Sequence, residues 1–259
     1  MLTTQQQLKY SRQIMMTKVG EQGQIALTQA TVLIIGVGGL GNPAALYLAA
    51  AGVGKLILVD GDTIEISNLP RQVLFNEQDI NNNKADVACD KLQQQFPDTE
   101  IEVIDEMFDQ ELADYYLNEV DIVLDCTDNI NSRYLINQLC VHSKTPLVIG
   151  AATGFDGQHL MVDSNDKNCA CYHCLYPSSE KAPANNCQTS GILGPVLSIV
   201  SGMQALTAIK HITGNKVPTN QLSLFDGLTN QWQQFNISKN SQCEICANKN
   251  NNLATTTQQ

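Results

Sequence analysis

The stretch from Thr31 to Gly54 limits the possible folds more than any other: TVLII runs into the glycine-rich GVGGLG and then into NPAALYLAAAGVG. A short, wholly apolar run predicts a strand buried on both faces. The Ala/Leu-rich segment predicts a helix, with Pro43 suited to its first turn and Gly52 to its end. Glycines between the two let the backbone approach a phosphate, and the helix N-terminus behind them favours negative charge. Gly36, Gly38 and Gly41 fit G-x-G-x-x-G, with Gly39 between them. The pattern is weak by itself, but in a strand–turn–helix setting it points to nucleotide binding. The alternative is a tight turn that serves helix packing only.

The alternation continues. KLILVD (55–60), IEVI (101–104), VDIVLDC (120–126) and PLVIGAA (146–152) read as strands, with helices over 84–96 and 129–143. Strands that are apolar throughout, separated by helices, predict an α/β fold: a Rossmann-like, mostly parallel sheet with helices on both faces. Residues 5–29 place Leu8, Ile14, Met15, Val19, Ile25 and Leu27 at helical spacing, and predict helices ahead of the sheet. Beyond about residue 153, GQHLMVD, QLSLFDG and QWQQFNI read as antiparallel strands with period-two alternation. Residues 178–191 have the composition of a loop, 192–213 read as a helix opened by Gly-Pro, and 250–259 as a disordered polar tail. The expected organisation is one domain over 1–249: N-terminal helices over 3–29, a nucleotide-binding half over 30–152 and a second half over 153–249.

A net charge of −11 with no basic stripe argues against nucleic acid. No apolar run approaches the roughly 20 residues of a membrane span, and MLTTQQQLKYSRQI lacks the apolar core of a signal peptide. A cytoplasmic protein is expected, in which clustered cysteines bind metal or do chemistry rather than form disulfides. An anionic ligand must then be met by a few local cations. The chain has only three arginines, Arg12, Arg71 and Arg133, the residue type suited to planar recognition of phosphate or carboxylate.

Asp60 ends the second strand, where such folds hold ribose hydroxyls; a solvated acid in the DGD turn is the alternative. Just beyond it come Ser67, Asn68 and Arg71, and Lys84 opens the next helix. A dinucleotide needs no cations here, whereas attack at the α-phosphate of ATP builds charge that Arg, Lys and Mg²⁺ must meet. Asp128, in DCTDN behind the fourth strand, suits a Mg²⁺ ligand beside phosphates. Its alternative use is to cap the helix that begins at Asn129.

Cys171-x-x-Cys174 and Cys243-x-x-Cys246 supply four sulfurs, enough to close a tetrahedral structural Zn²⁺ site. A redox pair is the rival reading, but neither pair is expected to open a helix behind a strand. Cys169 is left out of the set, and Cys89, Cys126 and Cys140 are expected in the core. The four histidines, at 142, 159, 173 and 211, have no partners that suggest a metal or base role.

Taken in order, RQI, GVGGLG, D-x-D, SNLPRQ, Lys84, DCTDN and GILGP…QAL…IK resemble the ThiF/MoeB/HesA family of E1-like adenylyltransferases, from about Tyr10 to Cys246. That resemblance implies that Gly39, Asp60, Ser67, Asn68, Arg71, Lys84, Asp128 and Asn129 line an ATP site and that the four paired cysteines hold zinc. It implies that Arg12 reaches the site of a partner subunit in a homodimer, and it matches Arg133 to a family position. The implied reaction is adenylation of the C-terminal Gly carboxylate of a ubiquitin-like sulfur-carrier protein ending in Gly-Gly. The texture of AALYLAAAGVG, GFDGQHLMV, CYHCLYP and LFDGLTNQW is closer to the thiamine-pathway members than to those that activate molybdopterin synthase. Cys187, in the 178–191 loop, matches a cysteine implicated in an acyl-disulfide link with the carrier; a bystander thiol is the alternative. No rhodanese-like segment follows the last cysteine pair, so a separate sulfur donor, a cysteine desulfurase or a rhodanese-type protein, is expected. Readings from other classes are a non-catalytic scaffold subunit, which should lack Lys84, Arg71 or Asp128, and an NAD oxidoreductase, which leaves the cations and the zinc pairs unexplained.

Overall fold

A computed structural model describes residues 1–177 and 191–247. One sheet of eight strands runs through it, in the order β3-β2-β1-β4-β5-β6-β7-β8. The first five in chain order are parallel: β1 (Thr31–Ile35), β2 (Lys55–Val59), β3 (Glu100–Ile104), β4 (Ile122–Asp125) and β5 (Leu147–Thr153). The last three, β6 (Asp156–Val162), β7 (Gln221–Asp226) and β8 (Gln231–Asn236), continue it antiparallel.

The apolar runs are explained by burial on both faces. Val32, Ile34, Leu56, Leu58, Ile122 and Leu124 pack into one core with α3 (Gly20–Gln29), α4 (Gly41–Ala51), α5 (Lys84–Gln95) and the long α9 (Gly194–Ile212). Their sequence neighbours Leu33, Ile35, Ile57, Val59 and Val123 face a second core with α6 (Gln110–Tyr116), α7 (Ile130–Ser143) and the one-turn α8 (Tyr172–Leu175). Period-two side-chain alternation thus feeds two cores at once.

Three expectations need correction. The apolar stripe of the N-terminal helices is only partly inward. Leu27 is fully buried, but Leu8 and Met15, on or next to α1 (Thr4–Lys9) and α2 (Ser11–Ile14), are exposed, and Tyr10 anchors the segment instead. The expected alternation in β8 has no counterpart in burial. All six of its residues are exposed, because it is the edge strand and neither of its faces is covered. Cys171 stands at the N-cap of α8, so one cysteine pair does open a helix, though well beyond the end of β6. Residues 178–190, with Cys187, and the tail 250–259 lie outside the described residues.

Candidate nucleotide site and cysteine cluster

Register brings the sequence-predicted residues together. Ile35, the last residue of β1, is level with Val59 of β2 on one side and Asp125 of β4 on the other. The glycine turn, Asp60 and the DCTDN segment therefore leave the sheet side by side, at the carboxyl edge where open α/β sheets bind ligands. Chain order 3-2-1-4 makes this the switch point, with the crossover from β1 going one way and the return to β4 the other.

The turn needs its glycines for identifiable reasons. Gly36 has φ +88°, and a Cβ there would meet the Cys126 carbonyl oxygen at 2.9 Å; at Gly41 a Cβ would lie 2.0 Å from the oxygen of Gly36. Gly38 and Gly39 lie between them, under Gln72 and Leu197. The turn is then fixed by side chains that sequence reasoning passed over. Fully buried Asn42 donates to the Val37 carbonyl at 2.6 Å and accepts from the Leu74 N–H, tying the turn to the segment behind Arg71. Ser201 of α9 donates to the Leu40 carbonyl at 2.7 Å. An asparagine directly after the last glycine was the only available signal.

Asp60 is not a solvated turn acid. It is 9% exposed, and its two oxygens accept from the N–H groups of Val37 (2.7 Å) and Asp62 (2.9 Å). Burial raises its carboxyl above the usual range, opposed chiefly by the nearby Lys84 charge. Each oxygen keeps a lone pair for a further donor such as a ribose hydroxyl. Lys84 opens α5 behind the Asn83 cap, almost fully buried, with Nζ 2.7 Å from Asp62 Oδ2.

Ile66–Asn68 form a 3-10 turn in which buried Asn68 accepts from the Glu65 N–H, while Ser67 is exposed. Half-buried Arg71 folds back to donate to the Ser67 carbonyl at 2.6 Å, which keeps its guanidinium on this segment. The helix-cap alternative for Asp128 is overturned. Asn129 caps α7, accepting from the Ser132 N–H at 2.8 Å, and this leaves the Asp128 carboxylate exposed and available. Arg12 is not brought to this site. Its neighbours Tyr10 and Gln13 contact Gly52 and the Ala51 carbonyl at the far end of α4, about 16 Å of helix from the glycine turn.

The cysteines behave as the spacing predicts. The sulfurs of Cys171, Cys174, Cys243 and Cys246 all lie within 4.8 Å of one another, with Cys171–Cys243 at 3.7 Å and Cys174–Cys246 at 3.3 Å. Tetrahedral Zn²⁺ with Zn–S near 2.3 Å places its sulfurs about 3.8 Å apart, so the donor set could hold this ion. Thiols around Cys246, Cys171 foremost, donate to it and hold its thiol below the usual range. Cys169 is buried but accepts from the Asp163 N–H instead of joining the cluster. Cys126 and Cys140 are core thiols that burial pushes up, as expected, while Cys89 is only half-buried. His159 is buried against the Thr207 hydroxyl, and burial pushes its imidazole down to about 4; it is a packed neutral side chain.

A glycine turn at a switch point, flanked by an acid and cations on the β2 side and by a carboxylate on the β4 side, defines a nucleotide-binding α/β protein with an attached tetrathiol cluster. Residues 10–245 match the ThiF family model, and the chain belongs to the ThiF family. It is 43% identical over 243 residues to the sulfur carrier protein ThiS adenylyltransferase of Escherichia coli K12, covering 94% of this chain and 96% of that one. It is 41% identical over 249 residues to the adenylyltransferase and sulfurtransferase MOCS3 of Drosophila yakuba, covering 95% of this chain and 54% of that protein. The chain thus spans about half the length of that relative. Among solved structures, E. coli MccB with MccA-N7isoAsn superposes with a TM-score of 0.80 at 24% identity, over 95% of this chain and 76% of that one, a likeness of fold. No described helix is long and apolar enough to cross a membrane.

Proposed function

We infer that this protein is an ATP-dependent adenylyltransferase that activates the C-terminal carboxylate of a ubiquitin-like sulfur-carrier protein. Its near full-length likeness to the ThiS adenylyltransferase carries the reading. The residue set at the carboxyl edge supports it. Asp60 takes the ribose, the glycine turn faces phosphate, and Arg71 and Lys84 meet the charge that develops there. Asp128, exposed and uncapped, fits a Mg²⁺ ligand; such an ion would neutralise phosphate charge when bound. A carrier carboxylate, ionised at neutral pH, needs no general base. Its oxygen bonds to the α-phosphorus as the bond to pyrophosphate breaks, giving an acyl-adenylate. Alignment and charge stabilisation supply the catalysis.

The same likeness favours the thiamine-pathway carrier. MOCS3 relatives of comparable identity support a second reading, activation of the small subunit of molybdopterin synthase, and the carrier that supports pyrophosphate exchange distinguishes the two. The relative matched over nearly its full length is named for adenylyl transfer alone, which favours a separate sulfur donor, a cysteine desulfurase or rhodanese-type protein. Cys187 is a proposed carrier-linking thiol, resting on the family match alone.

The proposal extends to a homodimer in which Arg12 of the partner subunit completes the site. Two observations support it: Arg12 sits at the wrong end of α4 for its own glycine turn, and the exposed apolar residues Leu8, Met15 and Met16 flank it in sequence. An open apolar groove of about 390 Å³ between α4 and α9 is lined by Tyr47, Leu206 and Gln13, the residue after Arg12. Mixing inactive Arg12→Ala with inactive Lys84→Ala should restore activity, since one hybrid site carries both native residues. Exchange of subunits without recovery places Arg12 outside the partner's chemistry.

A further inference from the structure

The most costly arrangement near the site is one the proposed reaction does not use. Asp125 is fully buried and Arg133 nearly so, and they form an ion pair with Nε 3.1 Å from Oδ2. Buried pairs of this kind rarely stabilise a fold better than apolar residues of the same volume, so stability alone is a poor reason for one. Three of the pair's four further hydrogen bonds converge on Thr127. Asp125 Oδ1 accepts from the Thr127 N–H at 3.0 Å and from the Thr127 hydroxyl at 2.7 Å. Arg133 Nη2 donates to the Thr127 carbonyl at 2.8 Å and to the Gly150 carbonyl of β5 at 3.3 Å. Tyr172, next to Cys171, presents its ring 5.8 Å from the guanidinium carbon. Every polar group of Thr127 is thereby fixed to the pair.

Asp128 follows at once, and Asn129 after it is pinned as the α7 cap, its carbonyl accepting from the Arg133 N–H at 3.3 Å. The exposed Asp128 carboxylate is thus suspended between two immobilised residues. We propose that Arg133, through Asp125 and Thr127, is a positioning residue that aims Asp128 at the metal–phosphate position of the nucleotide site. The inference rests on the ATP-dependent reading of that site. Lysine at 133 keeps the charge beside Asp125 but cannot span Asp125, Thr127 and Gly150 with one planar fork.

The test is ATP binding by calorimetry with and without Mg²⁺, beside thermal melting. For wild type, Mg²⁺ should tighten ATP binding. In Arg133→Lys, Mg²⁺-free binding should stay within about twofold of wild type, while the tightening by Mg²⁺ falls by about tenfold or more, the usual loss when a group behind a metal ligand is changed. Thr127→Val, which keeps the ion pair and loses one hydroxyl bond, should lose about fivefold of the same effect and covers the case in which Arg133→Lys does not fold. A folded Arg133→Lys, or failing that Thr127→Val, with the full Mg²⁺ effect overturns the positioning role while leaving the nucleotide site intact. A wild-type protein that binds no ATP overturns the nucleotide reading and this inference together.

Discussion

Lys84→Ala is expected to slow carrier-dependent pyrophosphate exchange by roughly two to three orders of magnitude, the cost of removing one preorganised charge from a developing transition state. The fold should survive. Lys84 pairs with Asp62, whose side chain is 64% exposed, and a pair half open to water contributes little stability. The N–H of residue 84 still reaches the Asp62 carbonyl in the variant, and Asn83 still caps α5. A large loss of rate with a small change in melting temperature is therefore the signature to look for. Removing the ammonium also strips buried Asp60 of the charge that opposes its burial, so its carboxyl should rise further. Asp128→Ala should cost a similar factor, for a different reason: it removes the one exposed carboxylate at the end of β4 without touching the cap at Asn129. Exchange at the wild-type rate in both variants contradicts the assignment of these two residues.

The second large effect concerns the cysteine cluster. One Zn²⁺ per chain is expected, and Cys243→Ser or stripping with a chelator should unfasten the C-terminal region. Binding at a tetrathiol site is worth on the order of 10 kcal/mol in small peptides. Even half of that corresponds to about 10–20 °C in melting temperature for a chain of this size. The damage should reach inward. Cys171, Cys243 and Cys246 are buried in the same core as Ile136, Leu139 and Leu147, and the second cysteine pair follows a short connection after edge strand β8, whose exposed residues are paired only to β7. Colorimetric zinc release alongside a thermal melt checks this. A metal-free preparation that melts at the same temperature excludes a structural ion here.

Most of the parallel half of the sheet could be read from the chain because strands buried on both faces leave a clear trace in runs such as TVLII; β3, EIEVI, at the other edge, is only partly buried. β8 was legible as a strand but not as an edge, since exposure depends on what neighbours do. α6 was missed because seven residues, QELADYY, are too short for a period to declare itself, and only the Asp109 cap marks its start. In the candidate site, the placement of Asp60, Lys84 and the glycines at one sheet edge could be read because each is local to a strand end, a helix start or a turn. Asn42, Ser201 and the fork of Arg133 act across 32, 161 and 17 residues of chain, and only the fold brings their partners within reach. The two cysteine pairs lie between: each pair is a local motif, but their meeting depends on the β7–β8 hairpin carrying the second pair back to the first.

The proposed reaction turns on one chemical step, attack on ATP by a carrier's terminal carboxylate. Exchange of labelled pyrophosphate into ATP, measured with the purified protein, Mg²⁺ and a carrier ending in Gly-Gly, tests it directly. Exchange is expected with the intact carrier, and none without carrier or with a carrier whose last glycine is removed or amidated. Equal exchange in all of these mixtures would contradict it.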